Sequence, residues 1–327
     1  MNYFITPDLT TISGGNKYDL NVLQYLNSHR CKLINIPVTQ TRMRLEKIFF
    51  NLNTIPNKST ILIDGLIASH INNMSKILSK KFKIILLIHH PVSYENNQYG
   101  DIFIKLKEKQ IFSAASKIIT VSRTMKRVIK KILNKNIDIK VISPGVDNFF
   151  YNNDKSIPTQ QKYNIITTGS VIPRKNIETS IEALRYMDNK WTLTIIGKND
   201  KKSSYFLYLT SLIDKYGLNS RVKFIECIHD INILIDYLKK ANVYLCLSKY
   251  EGYGMANIES AALGLPLVVS DIPVFRENLV GFNRKYVNLK NIKSIVSAIT
   301  ESSYTKKRNK LKTWEDVGHS FKKVLYG

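Results

Sequence analysis

Two glutamates stand eight positions apart in the run Glu251-Gly-Tyr-Gly-Met-Ala-Asn-Ile-Glu259. Between them, Gly252 and Gly254 allow a tight turn in which backbone N–H groups can face outward. The preceding run, Val243–Leu247, has the length of a buried parallel strand, and Met255–Leu263 reads as a helix leaving its carboxyl end. Ligands of open α/β sheets bind at such places. Amides at a helix start suit phosphate oxygens, and carboxylates accept hydrogen bonds from sugar hydroxyls. The pattern points to a polyhydroxylated anion; its plain alternative is surface acid on an ordinary strand–loop–helix unit.

Three further groups could serve the same chemistry. Thr168-Gly-Ser-Val-Ile-Pro-Arg174-Lys175-Asn176 follows a strand-like run and opens a helix. Adjacent Arg174 and Lys175 suit a diphosphate, one as a bidentate fork and the other as a mobile point charge. Ser13-Gly14-Gly15-Asn16 comes after the first strand and just before a helix, where its amides could approach an anion. His89 and His90 end the apolar run Ile84–Ile88. No other His or Cys stands near them at metal-ligand spacing, so no metal is expected there.

The segment from Glu251 to Ser270 resembles the E-x7-E signature of the GT4-type retaining glycosyltransferases of GT-B fold (glycosyl transferases group 1). The likeness includes Gly252, Gly254, Glu259-Ser-Ala-Ala, the Gly264-Leu-Pro266 corner and Val-Val-Ser270. The Arg174-Lys175 run is similar to the family's strand, Gly, short loop, Arg-Lys and helix. The Gly14-Gly15 turn is similar to the glycine loop of its first domain. Ser143-Pro-Gly145-Val-Asp147 resembles a family turn but lacks its Asn, and is read as a structural corner.

What the resemblance implies is a metal-independent, retaining hexosyltransferase with a nucleotide-diphosphate sugar as donor and no cofactor. Glu259 would take the ribose hydroxyls. Glu251, with Gly252, Gly254, Met255, Ala256 and Ile258, would orient sugar and phosphates. Arg174 and Lys175 would stabilise the departing diphosphate, Gly14 and Gly15 would face it, and His89 or His90 would contact the transferred sugar. The acceptor would be a glycan or lipid-linked glycan, as in surface polysaccharide or glycolipid assembly. The rival readings are a GT-B-fold sugar-nucleotide epimerase and a non-catalytic basic protein binding anionic membrane or nucleic acid.

Positioning these residues requires two doubly wound sheets. Strand-like runs at Tyr3–Thr6, Lys32–Ile36, Thr60–Ile63, Lys83–Ile88, Lys117–Thr120 and Ile139–Ile142 alternate with amphipathic ones. The alternation restarts at Tyr163–Thr168, Trp191–Ile196, Val222–Ile225, Val243–Leu247 and Leu267–Val269. The expected architecture is α/β of GT-B type, two Rossmann-like domains facing a cleft. A first, acceptor-side domain covers residues 1–150, a polar linker 151–162 and a nucleotide-sugar domain 163–303. Residues 304–327 form a closing helix returning to the first domain.

The 327 residues are 44% hydrophobic and 23% charged, which excludes wholesale disorder. No apolar run approaches the roughly eighteen residues of a membrane span, and the start lacks a signal-peptide pattern. Cys31, Cys227 and Cys246 form no metal or redox pattern, which implies reduced thiols and a cytoplasmic protein. Forty-nine Lys and Arg against 25 Asp and Glu give a net charge of +24. Residues 105–140 alone carry eleven basic side chains. Nucleic acid, an anionic membrane on the inner face of the cell, and a lysine-rich coding bias would each account for that. No nucleic-acid-binding motif is present, and no nucleic-acid partner is expected.

Overall fold

A computed structural model describes residues 2–10, 13–29, 33–38, 52–69, 71, 75–95, 102–133, 136–150, 163–302 and 311–326. Cys31, residues 151–162 of the expected linker and the first residues of the expected closing segment lie outside the described residues. The chain divides into two compact units, Met1–Gly145 with Lys312–Gly327, and Val146–Leu311. Each contains a six-stranded parallel sheet with helices on both faces, the Rossmann-like arrangement.

In the first unit the strands are β1 (Asn2–Pro7), β2 (Leu33–Val38), β3 (Thr60–Asp64), β4 (Lys83–Ile88), β5 (Lys117–Thr120) and β6 (Asp138–Val141), in the order β2-β1-β3-β4-β5-β6. The helices are α1 (Gly14–Ser28), α2 (Gly65–Ala68), α3 (Ser75–Lys81), α4 (Val92–Glu95), α5 (Ile102–Ala114) and α6 (Arg123–Ile132). Right-handed crossovers run one way from β1 to β2 and the other way from β3 onward. Hence α3, α5 and α6 share one face, where Leu78, Ile111, Phe112 and Ile129 pack on Ile61, Ile63, Ile84 and Leu86.

Within that face Glu108 of α5 is a buried carboxylate. It accepts from the N–H groups of Val92 and Ser93 and from the Ser93 hydroxyl, capping the start of α4. Burial raises its pKa against the pull of those bonds. Glu108→Ala leaves three donors, two of them buried, without this acceptor, and chemical denaturation should show a loss of about 2 kcal/mol. An unchanged midpoint would mean that α4 needs no such cap.

The second unit orders its strands β12-β11-β10-β7-β8-β9. These are β7 (Tyr163–Thr168), β8 (Trp191–Ile196), β9 (Val222–Ile225), β10 (Val243–Cys246), β11 (Leu267–Ser270) and β12 (Arg284–Val287). Its helices are α7 (Ile177–Arg185), α8 (Ser204–Lys215), α9 (Ile231–Lys240), α10 (Met255–Ala262), α11 (Pro273–Asn278) and α12 (Ile292–Thr300). Two apolar clusters fill its faces, one around Leu193, Leu245 and Val268, the other around Tyr244, Val269 and Phe275. Val146 and Phe150 belong to the second of these.

The last helix, α13 (Trp314–Tyr326), returns to the first unit and packs on α1. Tyr18 is the hub: its ring meets Trp314 and Phe321 edge-on, and its hydroxyl donates to the Ile142 carbonyl at 2.8 Å. A Cβ at Gly145 would lie 2.5 Å from the Trp314 nitrogen, so the Ser143–Asp147 corner is where the backbone comes against the start of α13. Among the described residues no helix is long and apolar enough to cross a membrane.

Candidate functional site

In the second unit β7 lies between β8 and β10, so the strand order reverses at β7 and β10. The loops leaving their carboxyl ends therefore open at the switch point of the sheet. They carry Arg174, Lys175 and Glu251. Pro173–Lys175 forms a short 3-10 turn after β7, closed by Asn176 in the left-handed region. The Lys249 N–H donates to the Arg174 carbonyl at 2.9 Å and ties the two loops together. Gly197 brings the next strand end close: a Cβ there would stand 2.1 Å from the Gly169 carbonyl oxygen.

The side chains converge on Glu251, which is buried. One carboxylate oxygen accepts from Lys175 Nζ at 2.6 Å and from the Ser248 hydroxyl at 2.9 Å. The other meets Arg174 Nη1 at 2.8 Å. Burial alone would raise the Glu251 carboxyl; the cations and Ser248 overcome it and hold it at about 2. Ser248 is in turn fixed by Ser270, whose hydroxyl donates to its carbonyl. Sequence reading missed Ser248; a hydroxyl three residues before a strand-end glutamate is the signal it left.

Gly254 starts α10 at φ 88°, and no side chain caps the helix. Its first amides, Met255 and Ala256, precede the first helical bond, from the Asn257 N–H to the Gly254 carbonyl. They form the anion-favouring end of the helix. A Cβ at position 254 would meet Phe275 at 2.7 Å, so only glycine fits without a shift. Glu259 lies about one turn further on and is half-buried, as are Gly252, Met255 and Ala256. The Ile258 side chain is buried in the core, so only its backbone could face a ligand.

In the first unit the sheet reverses at β1 and β3. Gly14 and Gly15 form the first turn of α1 itself, because Ser13 caps the helix by accepting from the Asn16 N–H at 3.0 Å. The helix thus takes in the two glycines, whereas the sequence suggests that they lie just before it. A Cβ at Gly15 would lie 3.2 Å from the His89 ring. His89 Nε2 stands 3.0 Å from Asp19 Oδ1 and 3.4 Å from Asp64 Oδ2. Burial opposes charge on His89, but Asp19 and Asp64 outweigh it, and the imidazole is raised well above its ordinary value. The Asp19 carboxyl is pushed up by its own burial and by Asp64. His90 lies apart from this group, lining a narrow crevice with Gly65, Ser69 and Glu108.

Asp19, Asp64 and His89 bring their ligand atoms within 4.8 Å of one another, a set that could also hold a cation. Local spacing could not show it, since the three come from α1, β3 and the end of β4. Of the thiols, Cys246 is buried and Cys227 half-buried, both free.

The sequence profile of the family described as glycosyl transferases group 1 matches residues 150–313. The O-antigen chain mannosyltransferase RfbU of Salmonella typhimurium is 30% identical over 214 residues, covering 64% of this chain and 56% of its own length. The chain thus spans about half the length of the curated relatives it matches. Among solved structures, a sucrose-phosphate synthase from Thermosynechococcus elongatus superposes with a TM-score of 0.83 at 17% identity, over 99% of this chain and 97% of that one. Anabaena HepE in complex with UDP and glucose gives 0.73 at 16% identity, over 99% and 98%. At such identity these likenesses speak for the fold. With the profile matching half of the sequence, the chain belongs to the glycosyl transferases group 1 family.

Proposed function

We propose that this protein transfers a hexose, with retention and without a metal, from a nucleotide-diphosphate sugar to a hydroxyl of a glycan or lipid-linked glycan acceptor. The process served is surface polysaccharide assembly, a reading supported by the similarity to RfbU, an O-antigen chain mannosyltransferase. The observation that carries the reading is the convergence of Arg174, Lys175 and Glu251 with the uncapped start of α10 at one switch point. Two cations and helix-end amides suit a diphosphate whose charge grows as it leaves. Glu259, one turn along, accepts from the ribose hydroxyls. His89 and the Gly14–Gly15 turn belong to the sugar and acceptor side.

In the proposed step the acceptor oxygen bonds to the anomeric carbon on the face from which the diphosphate departs. The carbon–oxygen bond to phosphate breaks, its electron pair leaves with the diphosphate, and a phosphate oxygen takes the acceptor proton. Arg174 and Lys175 supply the positive charge, so turnover should survive a chelator. Loss of turnover on chelation, restored by a divalent ion, would move attention to Asp19, Asp64 and His89.

The test is thermal unfolding against a panel of nucleoside diphosphates and nucleotide sugars. A ligand at a hundred times its dissociation constant adds about 2.7 kcal/mol. A base-selective shift, lost in Glu259→Ala, is the expected result; no shift with any nucleotide overturns the donor site. Donor turnover that needs no acceptor would instead favour the epimerase reading.

A further inference from the structure

Two of the six histidines of the chain, His29 and His319, meet across the seam between α1 and α13. Their ring centroids are 6.5 Å apart, the planes are inclined by 57°, and both residues are exposed. His29 caps the end of α1, with its Nδ1 at 2.9 Å from the Tyr25 carbonyl oxygen. The Ser28 hydroxyl, 3.0 Å from that nitrogen, donates to the same carbonyl at 2.9 Å. On α13, His319 Nδ1 stands 3.0 Å from the carbonyl oxygen of Glu315, one turn back. A carbonyl oxygen has no hydrogen to give, so each imidazole carries a hydrogen on Nδ1. In the neutral rings this leaves the lone pair on Nε2, and among the described residues neither Nε2 meets a hydrogen-bond partner. Tyr25 steadies the pair: it stacks on His29 at 3.9 Å and 16°, and its ring centroid lies 5.4 Å from that of His319.

One histidine bonded to a carbonyl is ordinary at a helix end. Two with the same nitrogen engaged, meeting from separate helices, have the make-up of a chelate. Histidines that ligate a metal donate their other ring hydrogen to a backbone carbonyl or carboxylate, which orients the ring and raises its basicity. We propose that His29 and His319 form a two-imidazole site for a divalent transition-metal ion, zinc(II) or nickel(II), which fastens α13 to α1. Imidazole suits these ions, whereas magnesium and calcium favour oxygen. Bonds of about 2.0–2.1 Å to each nitrogen draw the rings somewhat closer than 6.5 Å. Exposed side chains turn that far within nanoseconds, and water completes the shell. The stacking and the Nδ1 bond already restrain His29, which lowers the freedom lost on binding. The site is a different set from Asp19, Asp64 and His89 and takes no part in sugar transfer. Its effect is on stability: an ion held only when α13 lies on α1 favours the closed first unit.

The test is thermal unfolding of the full chain, stripped of metal with EDTA and dialysed, then titrated with zinc(II), nickel(II) or magnesium alone. His29→Ala, His319→Ala and, as a control for the buried cluster, Asp19→Asn accompany the wild type. At a hundred times its dissociation constant, zinc(II) or nickel(II) should raise the wild-type unfolding temperature by about 5–10 °C. EDTA should reverse the rise, and magnesium should not produce it. Calorimetric titration should give one ion per chain. Each histidine variant should lose most of the rise and bind about tenfold or more weakly, while Asp19→Asn keeps it. Both histidine variants should retain the nucleotide-induced shift, which separates this site from the donor site. Absence of any rise in wild type overturns the proposal. So does a rise that survives either histidine substitution, or one that Asp19→Asn alone abolishes. A rise seen only together with dimers in light scattering would place the ion between two copies and overturn it as well.

Discussion

Glu251→Ala should lower turnover about a hundredfold or more and cost about 3 kcal/mol of stability in the second unit. The carboxylate is the common partner of Arg174, Lys175 and Ser248, and its removal leaves two cations crowded at one sheet end. Their repulsion would splay the loops after β7 and β10. Glu251→Gln keeps the shape without the charge, so it should retain the fold better while still losing activity. The carboxyl sits at about 2 against an ordinary 4.5. A depressed carboxylate stabilises above its ordinary value, and that contribution is lost as pH falls from 4.5 toward 2. Acid unfolding should therefore be steeper in wild type than in Glu251→Gln over that window. Equal profiles would mean that the carboxylate is not held by its cations.

Gly318→Ala should destabilise the first unit by about 2 kcal/mol, although alanine is by itself the better helix former by about 1 kcal/mol. The sign is what makes the experiment decisive. Gly318 lies on the buried side of α13, and a Cβ there would stand 2.1 Å from the Tyr25 Cγ and Cδ1 of α1. The Tyr25 ring is stacked on His29 at 3.9 Å, which limits its retreat. Because the near atom is Cγ, rotating the ring about its own axis gives no relief. Tyr25→Ala in the same chain should recover most of the loss, a coupling measurable by a double-mutant cycle in denaturant. A stabilised Gly318→Ala would show that the two helices stand further apart.

The parts legible in the sequence are those written locally. β7 and β8 occupy Tyr163–Thr168 and Trp191–Ile196 as expected, because continuous apolar, β-branched runs between turn residues admit few other readings. β12 was not expected: Arg284-Lys-Tyr-Val287 is a half-buried edge strand whose side chains look like those of a loop. Helix α11 escaped too, being six residues long and opening on Pro273. At the candidate site, the Arg174-Lys175 pair and the Glu251–Glu259 segment were each visible alone. What could not be seen is that one buried carboxylate would join them across 76 residues of chain, which follows from β7 and β10 being neighbours. Asp19 and Asp64 were invisible for the same reason. Each is an ordinary acid in its own segment and becomes unusual only beside His89.

The return of α13 to the first unit also orders events during synthesis. The six strands of that unit emerge from the ribosome early, but Val317, Phe321 and Leu325, which fill its packing against α1, come only after the whole second unit. At about 5–20 residues per second, the 166 residues from Val146 to Leu311 impose a wait of roughly ten to thirty seconds. Throughout that wait the α1 surface around Tyr18 and Tyr25 is uncovered, while the second unit, made from one unbroken stretch, is free to fold ahead of it. The half of the molecule begun first is the half finished last.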